Sequence, residues 1–181
     1  MTAPRAPFPG QTVGPFFGFA LPWPDGAHLV PPGAVGAVQL TGRVLDGRGD
    51  PVPDALVEVW QADPAGVVPR AGAAFTGFGR CATDPDGGWS FTTLRPGAHA
   101  PGACAFFALT VFARGLLDRL FTRAYLPAAA EQLAADPLLA RLDPDRRATL
   151  MCREDDATLR FDIHLQGPAE TVFLSFPGHS G

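Results

Sequence analysis

Residues 40–63, LTGRVLDGRGDPVPDALVEVWQAD, restrict the possible folds more than any other stretch of the chain. Residues 40–45 and 55–61 each alternate in the two-residue period of a half-buried strand. Between them, 46–54 places two Gly and two Pro among charged residues, a composition that breaks a sheet ladder and supplies loop dihedrals. A hairpin or a corner between two sheets follows. Trp60 is too large to be left without a core, so the pattern predicts that other strands cover it.

The remaining strands are legible by the same alternation. They are predicted over 79–83, 89–94 with Trp89, Phe91 and Thr93 on one face, 103–114 as a core strand apolar on both faces, 120–126, 159–166 with Phe161, Ile163 and Leu165 inward, and 171–176. The acidic turn 84–88 between two of them lacks the spaced oxygen ligands of a calcium loop and is predicted to be a hairpin turn. Residues 127–151 turn to Ala, Leu and charged residues, with Asp136-Pro137 and Asp143-Pro144 as helix-start signals, so two or three short helices are expected there. With 20 Pro and 21 Gly in 181 residues, long helices are excluded. The expected fold is all-β, a sandwich of mostly antiparallel strands with an irregular N-terminal arm and a few short helices.

Two segments emerge. Residues 1–36 hold eight Pro beside Phe8, Phe16, Phe17, Phe19, Leu21 and Trp23, too apolar to stay in water, so this arm lies either on its own sandwich or on a partner chain. Residues 37–181 form one β-sandwich domain. A net charge of −4 and a pI near 5.4 give no field for phosphate backbones, which excludes a nucleic-acid partner. The most apolar run, 103–113, is too short for a membrane helix, and the N-terminus lacks a basic region followed by an apolar core, so a cytoplasmic protein is expected. Cys81, Cys104 and Cys152 are odd in number and widely separated, and are read as reduced thiols.

In order along the chain, LTGRV, PVPDALVEVWQAD, FGRCATD, RPG, FARG, TRAY and RFDI resemble the intradiol ring-cleavage dioxygenases, and the resemblance spans nearly all of the sequence. Within that family, QTVGPFF and LFTRAY are similar to the α chain of members built from α and β chains. The resemblance implies an enzyme that opens the ring of a dihydroxybenzoate, protocatechuate, between its hydroxyls with O₂ and a ferric iron. It also implies two Tyr and two His as iron ligands, a set suited to a hard trivalent ion. At those positions this chain carries Val68, His99, Phe106 and Ala108, with Tyr125 its single tyrosine. No metal is therefore expected on this chain, His99 is read as a surface residue, and Fe(III) is assigned to the β chain as partner.

What this chain contributes by the same resemblance is a pocket wall. Arg123, between Phe121 and Tyr125, matches an arginine that meets the substrate carboxylate, its alternative being a structural Arg stacked on Phe121 or Tyr125. Thr12, Gly14 and Pro15 match the arm segment walling the same pocket, and Phe16 stands where the family pattern has Tyr, removing a hydroxyl. No catalytic residue is expected in this chain. The rival readings are a non-enzymatic β-sandwich module, against which QTVGPFF and LFTRAY argue, and a hydrolase or metal enzyme using the four His, for which no spacing exists.

Overall fold

The computed structural model describes Gly14 and residues 16–176. Nine strands are present among these residues: β1 Ala37–Leu45, β2 Leu56–Gln61, β3 Phe78–Ala82, β4 Gly88–Leu94, β5 Phe106–Phe112, β6 Leu120–Tyr125, β7 Arg153–Asp155, β8 Thr158–Arg160 and β9 Ile163–His164. They form two sheets. One is mixed, in the order β4-β1-β8-β7 with β9 continuing beside β1, and the other is antiparallel, in the order β3-β2-β5-β6. Leu40, Val44, Trp89, Phe91, Leu159 and Ile163 of the first sheet meet Val57, Val59, Phe107, Leu109, Val111 and Ala124 of the second in one buried core. The expected sandwich is therefore present, its inward positions set by strand alternation.

Both early connections are corners between the sheets. Residues 46–55 carry the chain from β1 to β2, and 83–87 from β3 to β4, so the predicted hairpin at 84–88 is corrected to a crossing. Asp84 shapes that crossing by accepting hydrogen bonds from the Asp86 and Gly88 amides at 2.9 and 2.8 Å, the geometry of an Asx turn. Thr83 ties it to the other corner, receiving the Ala55 N–H at 3.0 Å and donating to the Val52 carbonyl at 2.8 Å.

Two further strand expectations are corrected. The run 159–166 divides into β8 and β9, because Phe161 and Asp162 leave the ladder: the Phe161 amide still reaches Thr41, but Asp162 turns its carboxylate to the Arg43 amide at 3.1 Å. Gly42 permits this break, since a side chain there would place its Cβ 1.8 Å from the Phe161 carbonyl oxygen. Residues 171–176 make only an isolated bridge from Leu174 to Phe121 and are not a strand.

Short helices follow at α1 Phe17–Ala20, α2 Ala130–Ala135 and α3 Pro144–Ala148, with a 3₁₀ turn at Leu139–Arg141. The last three bring Leu139 and Leu150 together with Tyr125, Cys104 and Val172 in a second, smaller core on the outer face of β5 and β6. Asp136 caps the 3₁₀ turn as expected, whereas Asp143 makes no side-chain cap. Of the arm, Phe17 is buried near Phe112 with ring centroids 6.5 Å apart, and the 27–30 backbone pairs with Thr92 at the free edge of β4. Cys81, Cys104 and Cys152 are all free thiols, and burial pushes Cys152 up to about 12, leaving it unreactive. No helix among the described residues is long and apolar enough to cross a membrane.

Gly42→Ala tests the break between β8 and β9. The added methyl meets backbone that cannot swing aside, and the expected cost is about 3 kcal/mol, read as a lowered urea midpoint. Gly49→Ala, in open space at a turn, is the comparison and should cost about 1 kcal/mol through its positive φ alone.

Candidate functional site

The outer face of the antiparallel sheet carries the site. Register places Phe78, Trp60, Ala108 and Arg123 side by side across four strands, so all four side chains leave the sheet on the same side. Trp60 is 51% exposed, which corrects the expectation that strands cover it. Its neighbour across the ladder is the small Ala108, no layer of the described residues lies above it, and it packs on Phe78 with centroids 4.3 Å apart. Trp23 also stacks on Phe78 at 5.7 Å, and Arg80 lies over the Trp23 and Phe78 rings while pairing with Glu58.

Loops 67–69 and 97–99 rise beside this row and enclose an apolar cavity of about 170 Å³. Val68, His99, Phe106 and Ala108, the four positions singled out in the sequence, all line it together with Trp60. Sequence separation of up to 40 residues is thus folded into one concavity. Three of the four have no donor atom, and His99 stands edge-on to Phe106 at 5.3 Å. A non-haem iron needs several nitrogen or oxygen ligands, so these residues do not fit one. Among the described residues no group of three or more His, Cys, Asp or Glu could hold a metal ion.

Arg123 is half-buried and its guanidinium carbon lies 4.1 Å from the centre of the Phe106 ring. Its Nη1 donates to the Tyr125 hydroxyl at 3.1 Å, and that hydroxyl donates to Asp136 at 3.4 Å. Stacking is therefore on Phe106, with Tyr125 as hydrogen-bond partner, while Phe121 lies under Arg119 instead. Among the described residues Arg123 makes no ion pair. A half-buried guanidinium without a carboxylate is poised for an anion from outside.

Asp136 is the support that sequence reasoning missed beyond its capping role. Burial alone would raise its carboxyl, but the amides of Cys104, Leu139 and Leu138 and the Tyr125 hydroxyl outweigh that and hold it below its ordinary value. Tyr125 is displaced upward, chiefly by burial and against the pull of Arg123. Of the remaining predicted residues, Gly14 and Phe16 are described. Gly14 has a φ of +69° and open space at its Cβ position, and Phe16 is 73% exposed. Phe17 packs at Phe112, four residues along β5 from Ala108, or about 13 Å at strand rise. Thr12 and Pro15 lie outside the described residues.

The family model described as Dioxygenase matches residues 25–167. The protocatechuate 3,4-dioxygenase alpha chain of Burkholderia cepacia is 40% identical over 197 aligned positions, covering 92% of this chain and 95% of that one. This chain belongs to the intradiol dioxygenase family. The protocatechuate 3,4-dioxygenase beta chain of Burkholderia cepacia is also similar, 37% identical over 140 positions that cover 70% of this chain and 56% of that one. Among solved structures, the dioxygenase domain of a dioxygenase carbohydrate-binding protein fusion from Streptomyces sp. SirexAA-E superposes with a TM-score of 0.64 at 27% identity, covering 90% and 99% of the two chains. Intradiol dioxygenases depend on iron in general, so the carbon side chains at the cavity mark a departure within the family.

The Asp136 carboxylate yields a pH test. Its depressed value means that its contribution is complete above the ordinary aspartate value of 3.8 and is lost as pH falls toward the lower folded-state value. Asp136→Asn should cost about 1–3 kcal/mol at neutral pH, and urea midpoints between pH 7 and pH 3 should fall less steeply than in the parent.

Proposed function

We propose that this chain is the iron-free α half of a two-chain protocatechuate 3,4-dioxygenase, in which a β chain of similar fold holds Fe(III) and this chain lines its substrate pocket. The observation that carries the proposal is Arg123: a half-buried guanidinium on the outer sheet face, braced by Phe106 and Tyr125, with no carboxylate partner among the described residues. Protocatechuate has a ring carboxylate besides its two hydroxyls, and a buried carboxylate requires a charged hydrogen-bond donor. The named alpha-chain relative and the similarity to a beta chain of the same enzyme support the pairing.

In this reading ring opening occurs on the partner, and this chain orients and desolvates the aromatic acid. The arm, residues 1–36, packs on the partner chain through the outward Phe16 and Phe19, 73% and 83% exposed, while Phe17 and the 27–30 backbone hold it to its own sandwich. Thr12, Gly14, Pro15 and Phe16 wall the pocket beside Arg123. The assembly works in the cytoplasm, with no nucleic acid or membrane among its partners.

Two measurements test the proposal. Purified alone, the chain should carry no stoichiometric iron and no visible tyrosinate band; either one in the isolated chain would overturn the division of labour. In the assembled enzyme, Arg123→Ala should lower kcat/KM for protocatechuate by about 2–5 kcal/mol, because a buried carboxylate loses its counter-charge. Iron content should stay unchanged, and catechol, which lacks the carboxylate, should lose much less. Equal losses on both substrates, with dissociation of the assembly, would assign Arg123 a structural role.

A further inference from the structure

A second cavity, of about 420 Å³, lies at the edge of the mixed sheet and shares no residue with the cavity beside Trp60. Its volume falls within the roughly 300–1,000 Å³ of small-molecule sites. Four charged or titratable residues line it: Arg153 on β7, Arg160 on β8, Asp162 at the break between β8 and β9, and His164 on β9. The buried Cys152 and Phe161 and the half-buried Met151 give it an apolar interior.

Sheet register makes this cluster costly. Arg153 and Arg160 stand directly opposite each other across the β7–β8 ladder, so their side chains leave the same face with Cβ atoms about 5 Å apart. Like charges in that relation destabilise a sheet. Asp162 offsets only one of them, its Oδ2 lying 3.0 Å from Arg153 Nη2 while its Oδ1 accepts the Arg43 amide at 3.1 Å. The other neighbour of Arg160 across the sheet is Thr41, whose hydroxyl is spent on the Trp89 carbonyl. Among the described residues nothing pairs with or hydrogen-bonds to the Arg160 guanidinium.

The hydrogen-bonding capacity left open around the cavity is that of donors. Thr171 Oγ1 accepts the His164 amide at 3.0 Å, and the Thr149 hydroxyl donates to the Arg146 carbonyl at 2.8 Å and accepts the Val172 amide at 3.2 Å. Both oxygens of Asp162 are taken, so neither a metal ion nor an amine finds a free carboxylate. What remains is Arg160, the other N–H groups of Arg153 and the His164 imidazole, which has no partner among the described residues. Two guanidiniums side by side suit one carboxylate. His164, four residues beyond Arg160, suits a second oxygen group across the apolar interior.

We infer that this cavity binds a small organic dicarboxylate, one carboxylate between Arg153 and Arg160, its carbon chain against Phe161 and Met151, and its second acidic group at His164. The anion supplies the counter-charge that the Arg153–Arg160 pair lacks. Opening a dihydroxybenzoate ring between its hydroxyls with both atoms of O₂ leaves a carboxylate at each end of a six-carbon chain, so the product of that reaction is of this class. That link, unlike the site itself, rests on the reading under Proposed function.

Adipate, a six-carbon dicarboxylate, is the probe, counted by equilibrium dialysis on the assembled enzyme. Arg160→Gln should weaken one adipate site per copy of this chain at least about tenfold. Ala169→Trp, which fills the cavity from an exposed position, should remove the same site. Arg48→Gln, at an exposed arginine paired with Asp46 and Asp50 away from the cavity, should leave it unchanged. Hexanoate, of the same length with one carboxylate, should bind about tenfold more weakly than adipate. Without ligand, Arg160→Gln should raise the thermal midpoint by relieving the repulsion from Arg153, whereas an arginine kept for structure would lower it. An unchanged adipate count in either cavity variant, equal binding of hexanoate, displacement of adipate by an equal concentration of inorganic phosphate, or a lowered midpoint in Arg160→Gln would overturn the inference. Because adipate is counted and not turned over, failure here leaves the Arg123 reading standing.

Discussion

A single buried carboxylate organises the outer face of the antiparallel sheet. Asp136 accepts from the Cys104 amide at 2.9 Å and from the Leu138 and Leu139 amides at 3.0 and 3.1 Å, which joins the helical segment to the start of the core strand β5. The same carboxylate receives Tyr125 from β6, and Tyr125 in turn receives Arg123. The result is one hydrogen-bonded line from a helix terminus to a half-buried cation. Low local dielectric strengthens each of these contacts and makes the loss of any one more costly. Arg123 therefore keeps its position over Phe106 without an anion to hold it there.

Core and cavity use opposite faces of the same strands, so the chemistry of one varies without the other. Val57, Val59, Phe107, Leu109 and Ala124 point into the sandwich, whereas Trp60, Phe106, Ala108 and Arg123 leave from the opposite face of the same strands. Alternation makes the two sets independent: a change at Phe106 or Ala108 on one face leaves the packing on the other untouched. The cavity that results has the outline of a site with an altered chemistry inside it.

The alternating strands were legible because period two needs only local residues, and β1, β2, β4 and β6 fall where apolar positions recur. Trp60 was misjudged because a strand's hydrophobic pattern does not say whether a layer covers its second face; size suggested burial, and a small cross-strand neighbour left the indole open. The division of 159–166 depended on Gly42, more than 100 residues earlier in the sequence, whose missing side chain admits the Phe161 carbonyl. Arg123 was visible as an Arg between aromatics, but its actual stacking partner, Phe106, is on another strand. Asp136 showed its capping role through Asp-Pro, whereas its contact with Tyr125 required the helices to be folded back onto the sheet.

The position of β1 has a consequence for how the chain is made. One of its edges pairs with β4, but the other waits for β8, with Gln39 opposite Thr158. Those partners are 158 − 39 = 119 residues apart. At a synthesis rate of about 5–20 residues per second, an unpaired edge persists on the nascent chain for on the order of ten seconds. That edge belongs to an interior strand of its sheet, whose one charged side chain, Arg43, stands near its end. Completion of the sandwich therefore waits until β8 has been made, and the emerging chain passes through a period of exposure to pairing with other chains.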